Sequence, residues 1–253
     1  MNRIKIIIAI LIVAALIAAF LFFGSTKSGK NIGAIPLSNT DTARDMTNID
    51  SAVSFGYKCM WIAVRTNDKD RIADILEIKN RRPCNWKRGI EQAYRDKIFI
   101  TPQVGKWTLV IGWALGNSDF KDDLDELNSF KAKIDKLSKE FGEAQFFVTY
   151  RVPEYHVWSK SINGQTVRLY SYLGEKGENI AIEGDPTELE KKYKLINTFS
   201  KEAKDKNYFE RTDILIPDEE FVMKIAENWS VDPTTLEERK DIKAGLGILG
   251  RLY

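Results

Sequence analysis

The strongest signal for the topology of the fold lies at Pro153–Glu178, PEYHVWSKSINGQTVRLYSYLGEKGE. Its two β-prone halves meet at Asn163-Gly164, a strong hairpin signal because both central residues of a type I′ turn need positive φ. The GEKG near its end turns the chain into a third β-prone run, ENIAIEG, at residues 178–184. A hairpin that continues as a meander predicts antiparallel pairing in the middle of the chain.

Helical patterns alternate with further β-prone runs on both sides of this hairpin. Residues 119–141 contain the clearest helix, which Gly142 ends. Its apolar residues recur at three- and four-residue spacing, namely Leu124, Leu127, Phe130, Ile134, Leu137 and Phe141. Strands are predicted before it in YKCMWIAVRT (57–66) and after it in AQFFVTYRV (144–152). The order predicts an α+β fold, with a largely antiparallel sheet and packed helices, and not a doubly wound parallel sheet.

The sequence predicts no helix or strand in two further segments. Residues 81–84 are interpreted as a loop that enters a helix near Asn85. GLGILG, Gly245–Gly250, has the glycine spacing of a dinucleotide-binding loop, but that motif requires a preceding strand and a following helix. We interpret the segment as a flexible apolar tail that docks on the domain.

The N-terminus carries an uncharged run, Ile6–Thr26, of the roughly 20 residues that a helix needs to cross a bilayer. A cleaved signal peptide, the competing interpretation, has a shorter apolar region that ends in small residues, whereas bulky FLFF stands at 20–23. We predict a transmembrane anchor at 1–26, a polar linker at 27–54 and a single α+β domain at 55–253. The basic N-terminus before the span favours a single-pass protein of the cell membrane with its domain outside the cytoplasm.

The composition excludes several classes of function. Lys plus Arg number 38 and Asp plus Glu 36, so a net charge of +2 gives no electrostatic footprint for nucleic acid. One histidine and two cysteines, Cys59 and Cys84, are too few soft ligands for a zinc site, and we predict no metal and no cofactor. A disulfide between the cysteines outside the cytoplasm stays open.

His156, the single histidine, has two interpretations. With a two-residue turn, Trp158 faces Leu169 and His156 faces Ser171, which makes His156 a partly buried sheet residue hydrogen-bonded to a neighbour. Alternatively, Cys84 lies at a helix N-terminus, where the dipole favours its thiolate, and His156 accepts its proton. A cysteine at a helix start with a histidine on a later strand resembles the layout of papain-like and NlpC/P60-type peptidases. The resemblance implies a hydrolase with Cys84 and His156 as catalytic residues.

Aromatic residues cluster around the predicted hairpins and are candidates for a binding face, because Trp and Tyr dominate interface energetics. They are Trp107, Trp113, Tyr155, Trp158, Tyr170 and Tyr172. The leading hypothesis is a membrane-tethered, non-catalytic domain that binds a protein. The alternatives are the Cys84/His156 hydrolase acting outside the membrane and a structural accessory subunit of a membrane complex.

Overall fold

Nine strands form one antiparallel sheet in the computed structural model, which describes residues 46–116 and 124–252. The strands are β1 Cys59–Val64, β2 Lys79–Cys84, β3 Ile98–Ile100, β4 Thr108–Ile111, β5 Glu143–Tyr150, β6 Tyr155–Ile162, β7 Gln165–Leu173, β8 Glu178–Glu183 and β9 Gly247–Arg251. Their order across the sheet is β2-β9-β3-β4-β1-β5-β6-β7-β8. Every neighbouring pair is antiparallel, which confirms the predicted fold class.

Within residues 46–116 and 124–252, four α-helices and several short 3-10 helices accompany the sheet. The α-helices are α1 Lys69–Ile75, α2 Trp86–Ala93, α3 Leu124–Phe141 and α4 Glu219–Trp229. The 3-10 helices are Trp113–Leu115, Glu190–Lys192, Glu202–Lys204, Tyr208–Glu210 and Pro233–Glu238. Three α-helices begin at a side chain that accepts a hydrogen bond from a first-turn N–H, as capping requires. The caps are Asp68, Asn85 and Asp218, and the helix start near Asn85 agrees with the prediction.

Both faces of the sheet are covered, and alternate residues of each strand enter opposite cores. On one face, Ile62 and Phe146 pack with apolar residues of α1 and α3. On the other, Trp61 and Trp158 pack with α2, α4 and the chain between β8 and β9. The sheet is therefore the middle layer of the domain, and its functional surfaces lie at strand ends and edges.

The predicted hairpin turn is present, but its register differs from the prediction. Asn163 and Gly164 have φ of 51° and 87°, and Ile162 lies opposite Gln165 as expected. A β-bulge then leaves Val167 unpaired, so that Trp158 lies opposite Tyr170 and not Leu169. One extra residue on one strand moves every later side chain to the other face.

Two segments predicted to be irregular are strands. Residues 81–84 belong to β2 at the edge of the sheet, and Gly247–Arg251 forms β9 between β2 and β3. The prediction of a flexible C-terminal tail was therefore wrong. Each strand pairs with a partner far away in sequence, so that neither carries a local pairing signal.

Residues 46–54, which the sequence pattern assigns to the linker, contact the domain. The Asp50 carboxylate accepts hydrogen bonds from Trp86 N at 2.8 Å and Lys87 N at 2.9 Å at the start of α2. The predicted anchor and the rest of the linker lie outside the described residues, and the domain boundaries stay predictions. Within 46–116 and 124–252, no helix is both long and apolar enough to cross a bilayer.

Candidate functional site

The structure does not bring the predicted catalytic pair together. Cys84 ends β2 and His156 lies on β6, six inter-strand steps away across the sheet. At about 4.8 Å a step, the two strands are separated by about 29 Å. A base must lie within hydrogen-bond reach of its nucleophile, so proton transfer between these two side chains is not available in this fold.

Cys84 also lacks the environment of a nucleophile. The thiol is buried, and burial raises its pKa to about 11, whereas the sequence predicted a lowered pKa. The N–H groups at the start of α2 are already taken, because Asp50 accepts from Trp86 and Lys87 and the Asn85 side chain accepts from Arg88 N. A carboxylate, not the thiol, therefore occupies the positive end of the helix dipole.

The two cysteines are free thiols on strands four steps apart. That order separates them by about 19 Å, whereas the Cα atoms of a disulfide lie within about 7 Å. Burial raises the pKa of the Cys59 thiol to about 12. Both cysteines are packing residues in this fold.

His156 is a sheet histidine that is fully buried, not partly buried. Burial lowers its pKa, so the ring is neutral near pH 7, although Glu154 Oε2 lies 3.4 Å from Nε2. Nδ1 has no hydrogen-bond partner among the described residues. The expected contact with Ser171 is absent, because the bulge places Tyr172 opposite His156.

Four of the six predicted binding aromatics are part of the cores. Tyr155, Trp158, Tyr170 and Tyr172 are each 2% exposed or less, and they cannot present a surface to a ligand. The shifted register places Trp158 opposite Tyr170, and their rings stack with centroids 4.3 Å apart. Trp107 and Trp113 are half-buried, and Trp113 opens onto a surface depression.

We call this depression the Trp113 groove; its volume is about 420 Å³. Its lining residues are Lys58, Arg95, Asp96, Trp113, Ala114 and Tyr150. They come from one end of the sheet: Lys58 precedes β1, Trp113 follows β4, Tyr150 ends β5, and Arg95 and Asp96 follow α2. The antiparallel order brings these chain ends together.

Hydrogen bonds and ring contacts fix the aromatic part of the groove. Trp113 Nε1 donates to the Lys58 carbonyl oxygen at 3.1 Å. The rings of Trp113 and Tyr150 meet edge to face with centroids 5.2 Å apart, and Lys58 Nζ lies 5.9 Å from the Tyr150 centroid. Gly112, with φ of 150°, precedes Trp113, and a Cβ there would lie 2.3 Å from the Lys97 carbonyl oxygen. Glycine is therefore required where the chain turns from β4 into the groove.

A second depression, the Arg82 pocket, adjoins the groove and has a volume of about 290 Å³. Its lining residues are Asn80, Arg82, Lys97, Leu249, Gly250 and Arg251. Asp96 of the groove accepts from Arg251 Nη2 at 2.8 Å and from Lys97 Nζ at 3.0 Å. Two residues of the pocket therefore pair with one residue of the groove, and Asp96 links the two depressions.

Positive charge is concentrated in these two depressions. Five basic residues and one acidic residue, Asp96, line the two depressions. The basic residues are Lys58, Arg82, Arg95, Lys97 and Arg251. The whole chain, by comparison, has a net charge of +2. The charge of the whole chain is nearly balanced, but this end of the sheet is a local cationic surface.

Sequence reasoning identified Trp113 but missed the other residues of the two depressions. The groove depends on the ends of three strands and one helix, and the pocket depends on the pairing of β2 with β9 and of β9 with β3. No local pattern predicts those pairings. Exposed basic residues in an edge strand, Lys79–Cys84, were the one available signal, although such residues also serve to prevent edge-to-edge aggregation.

Comparisons with family models, with curated proteins and with solved structures each gave no match. Within the part of the chain that the structure describes, no three His, Cys, Asp or Glu side chains are grouped so as to hold a metal ion. The functional interpretation therefore depends on the geometry of the two depressions.

Proposed function

We propose that this protein is a non-catalytic binding domain that docks a protein partner in the Trp113 groove. Residues 6–26 tether it to the cell membrane, with the domain outside the cytoplasm. One observation carries the proposal: two half-exposed aromatic rings, Trp113 and Tyr150, line a concave surface that also holds an arginine without an acidic partner, Arg95.

The dimensions and chemistry of the groove suit a docking surface. A volume of about 420 Å³ falls in the range of sites that enclose a small molecule or one anchoring side chain. Trp, Tyr and Arg are the residues on which binding energy concentrates in interfaces. The contacts of Trp113 with Lys58 and Tyr150 hold its ring in place, so that docking loses little side-chain entropy.

The proposal replaces the hydrolase alternative, which requires Cys84 and His156 to meet. It also narrows the binding hypothesis, because four of the six aromatic candidates are buried and Trp113 lies in the groove. A structural accessory subunit would dock its partner through the same kind of surface. No contact among the described residues favours that alternative over a reversible interaction.

Site-specific photo-crosslinking of the full-length chain in its native cells tests the proposal. A benzophenone amino acid replaces Lys58, which is exposed in the groove, and, as a matched control, Lys139, which is exposed on α3. Lys139 lies beside the Asn163-Gly164 turn, at the opposite end of the sheet. The expected result is a protease-sensitive adduct at position 58 whose partner peptide mass spectrometry identifies, and no such adduct at position 139.

Three results would overturn the proposal. Equal adducts at both positions would show non-specific proximity. Adducts with lipid alone would assign the groove to the membrane surface, and adducts with a second copy of this chain alone would assign it to self-association.

A further inference from the structure

We propose that the partner segment held by the Trp113 groove is acidic, and that its carboxylates bind Arg95 in the groove and Arg82 in the adjoining pocket. The inference rests on the proposed function, since it names the chemistry of the partner that docks at the same site. The structure assigns the aromatic rings to an apolar anchor of the segment and the two arginines to its flanking acids.

The pairing of the arginines distinguishes these two positions. Among the arginines that the structure describes, Arg82 and Arg95 are those without an acidic side chain within 4 Å. The others each form an ion pair: Arg65, Arg71, Arg81, Arg88, Arg151, Arg168, Arg211, Arg239 and Arg251. Both unpaired guanidinium groups line the two adjoining depressions.

The two depressions form one binding strip. Asp96 lines the groove and pairs with Arg251 and Lys97, both of which line the pocket. Its carboxylate pairs with two cations of the pocket and connects them to the groove. Arg82 lines the pocket and Arg95 lines the groove, so a segment that spans both depressions meets a free guanidinium in each.

The local backbone favours a carboxylate over a phosphate group. Phosphate sites commonly use helix N-termini, where N–H groups and the positive end of the dipole face the anion. Arg95 instead follows the C-terminal end of α2, which carries partial negative charge, and the N-terminal end of α2 is capped by Asp50. A single negative charge suits this environment better than two, and Arg binds a carboxylate with two parallel hydrogen bonds.

The test measures binding of a fluorescent, glutamate-rich peptide with one phenylalanine to the full-length chain in nonionic detergent. Fluorescence anisotropy gives the dissociation constant at two salt concentrations. The variants are Arg82→Gln, Arg95→Gln and the double variant, and Lys139→Gln is the control that removes the same charge at the far end of the sheet. A lysine-rich peptide of the same length, inorganic phosphate, acetate and vesicles containing phosphatidylserine are the comparison probes.

The expected result is peptide binding that each arginine variant weakens by about tenfold, because each loses a charge-assisted pair. Lys139→Gln leaves the affinity within about twofold, since its charge is screened from the strip by distance and salt. Added salt weakens binding to the wild-type chain, and the lysine-rich peptide does not bind.

Other outcomes overturn the inference. Equal weakening by Lys139→Gln would show a general charge effect. Stronger competition by phosphate than by acetate would identify a phosphate site, and vesicle binding without peptide binding would identify a lipid surface. If the acidic peptide does not bind while crosslinks at position 58 persist, the inference fails and the proposed function stands. If the peptide binds but position 58 gives no protein adduct in cells, the anion chemistry stands and the proposed function fails.

Discussion

Replacing Glu190 with glutamine should destabilise the domain more than any comparable surface change. Glu190 is 1% exposed and its carboxylate accepts five hydrogen bonds. Oε1 accepts from Arg168 Nε at 2.9 Å, Arg168 Nη2 at 2.7 Å and Trp158 Nε1 at 2.9 Å. Oε2 accepts from Thr187 N at 2.8 Å and Thr187 Oγ1 at 2.7 Å. The network joins the chain after β8 to the α4 face of the sheet.

The expected cost follows from what glutamine cannot do. Its NH₂ group replaces one acceptor oxygen by a donor, which then faces either Thr187 N–H or the donors of Arg168 and Trp158. Arg168 keeps the carbonyl oxygen of Gly184 at 3.0 Å but loses its counter-charge in a buried site. Removing one partner of a buried ion pair costs about 3–5 kcal/mol of unfolding free energy.

The assay is urea unfolding of the full-length chain, followed by near-ultraviolet circular dichroism. Glu188→Gln is the matched control, since Glu188 lies two residues away and its side chain is 88% exposed. It should leave the free energy of unfolding nearly unchanged, because exposed ion pairs contribute little.

The pH dependence of the same variant supplies a second check. Burial opposes ionisation of Glu190, but the hydrogen bonds from Arg168 and Thr187 hold its pKa below the ordinary 4.5. The stabilisation is therefore fully present above pH 4.5 and is lost as the pH falls below that value. The difference between wild type and Glu190→Gln should shrink in the same range. A Glu190→Gln variant as stable as Glu188→Gln at neutral pH would show that the buried Glu190 carboxylate does not stabilise the fold.

Three further predictions concern other buried positions. Burial lowers the pKa of His156 below 6.5, so the unfolded chain binds the proton first as the pH falls. The free energy of unfolding should therefore decrease below pH 6.5, by at most about 1.4 kcal/mol per pH unit. Chemical unfolding should show this slope in the wild type and not in His156→Gln. Gly112→Ala should destabilise the fold by at least about 1 kcal/mol more than Gly142→Ala in urea titrations, because both have positive φ but only a Cβ at 112 meets backbone; equal losses would contradict the close contact. Cys59 and Cys84 should resist an aromatic disulfide reagent at pH 8 until the chain unfolds, since burial raises both pKa values; rapid reaction of the native chain would show that either thiol is accessible.

Local patterns predicted the elements whose partners are near in sequence. The Asn163-Gly164 turn, the apolar stripe of α3 and the helix start near Asn85 each follow from a few neighbouring residues. The middle of the sheet, from β5 to β8, was predictable for that reason. The bulge at Val167 was not, because the apolar residues of β7 fit either register until the neighbouring strands and helices select one.

The other half of the sheet depends on contacts between distant segments. β9 lies between β2 and β3, so residues near 80, 99 and 249 meet. The same order separates Cys84 from His156 and creates the Arg82 pocket. An arrangement of two residues in chain order therefore gave a false catalytic pair, whereas the candidate site consists of residues that no motif connects.

Binding of an acidic segment in the Trp113 groove is tested most directly by nuclear magnetic resonance, which follows the six tryptophan indole signals of the full-length chain. The glutamate-rich peptide is added stepwise, and Trp113→Phe assigns the groove signal. We expect a saturable shift of the Trp113 indole N–H, while that of Trp158, which is buried and bonded to Glu190, stays in place. An unchanged Trp113 signal at saturating peptide, or an equal shift at Trp158, would contradict binding of an acidic segment in the groove.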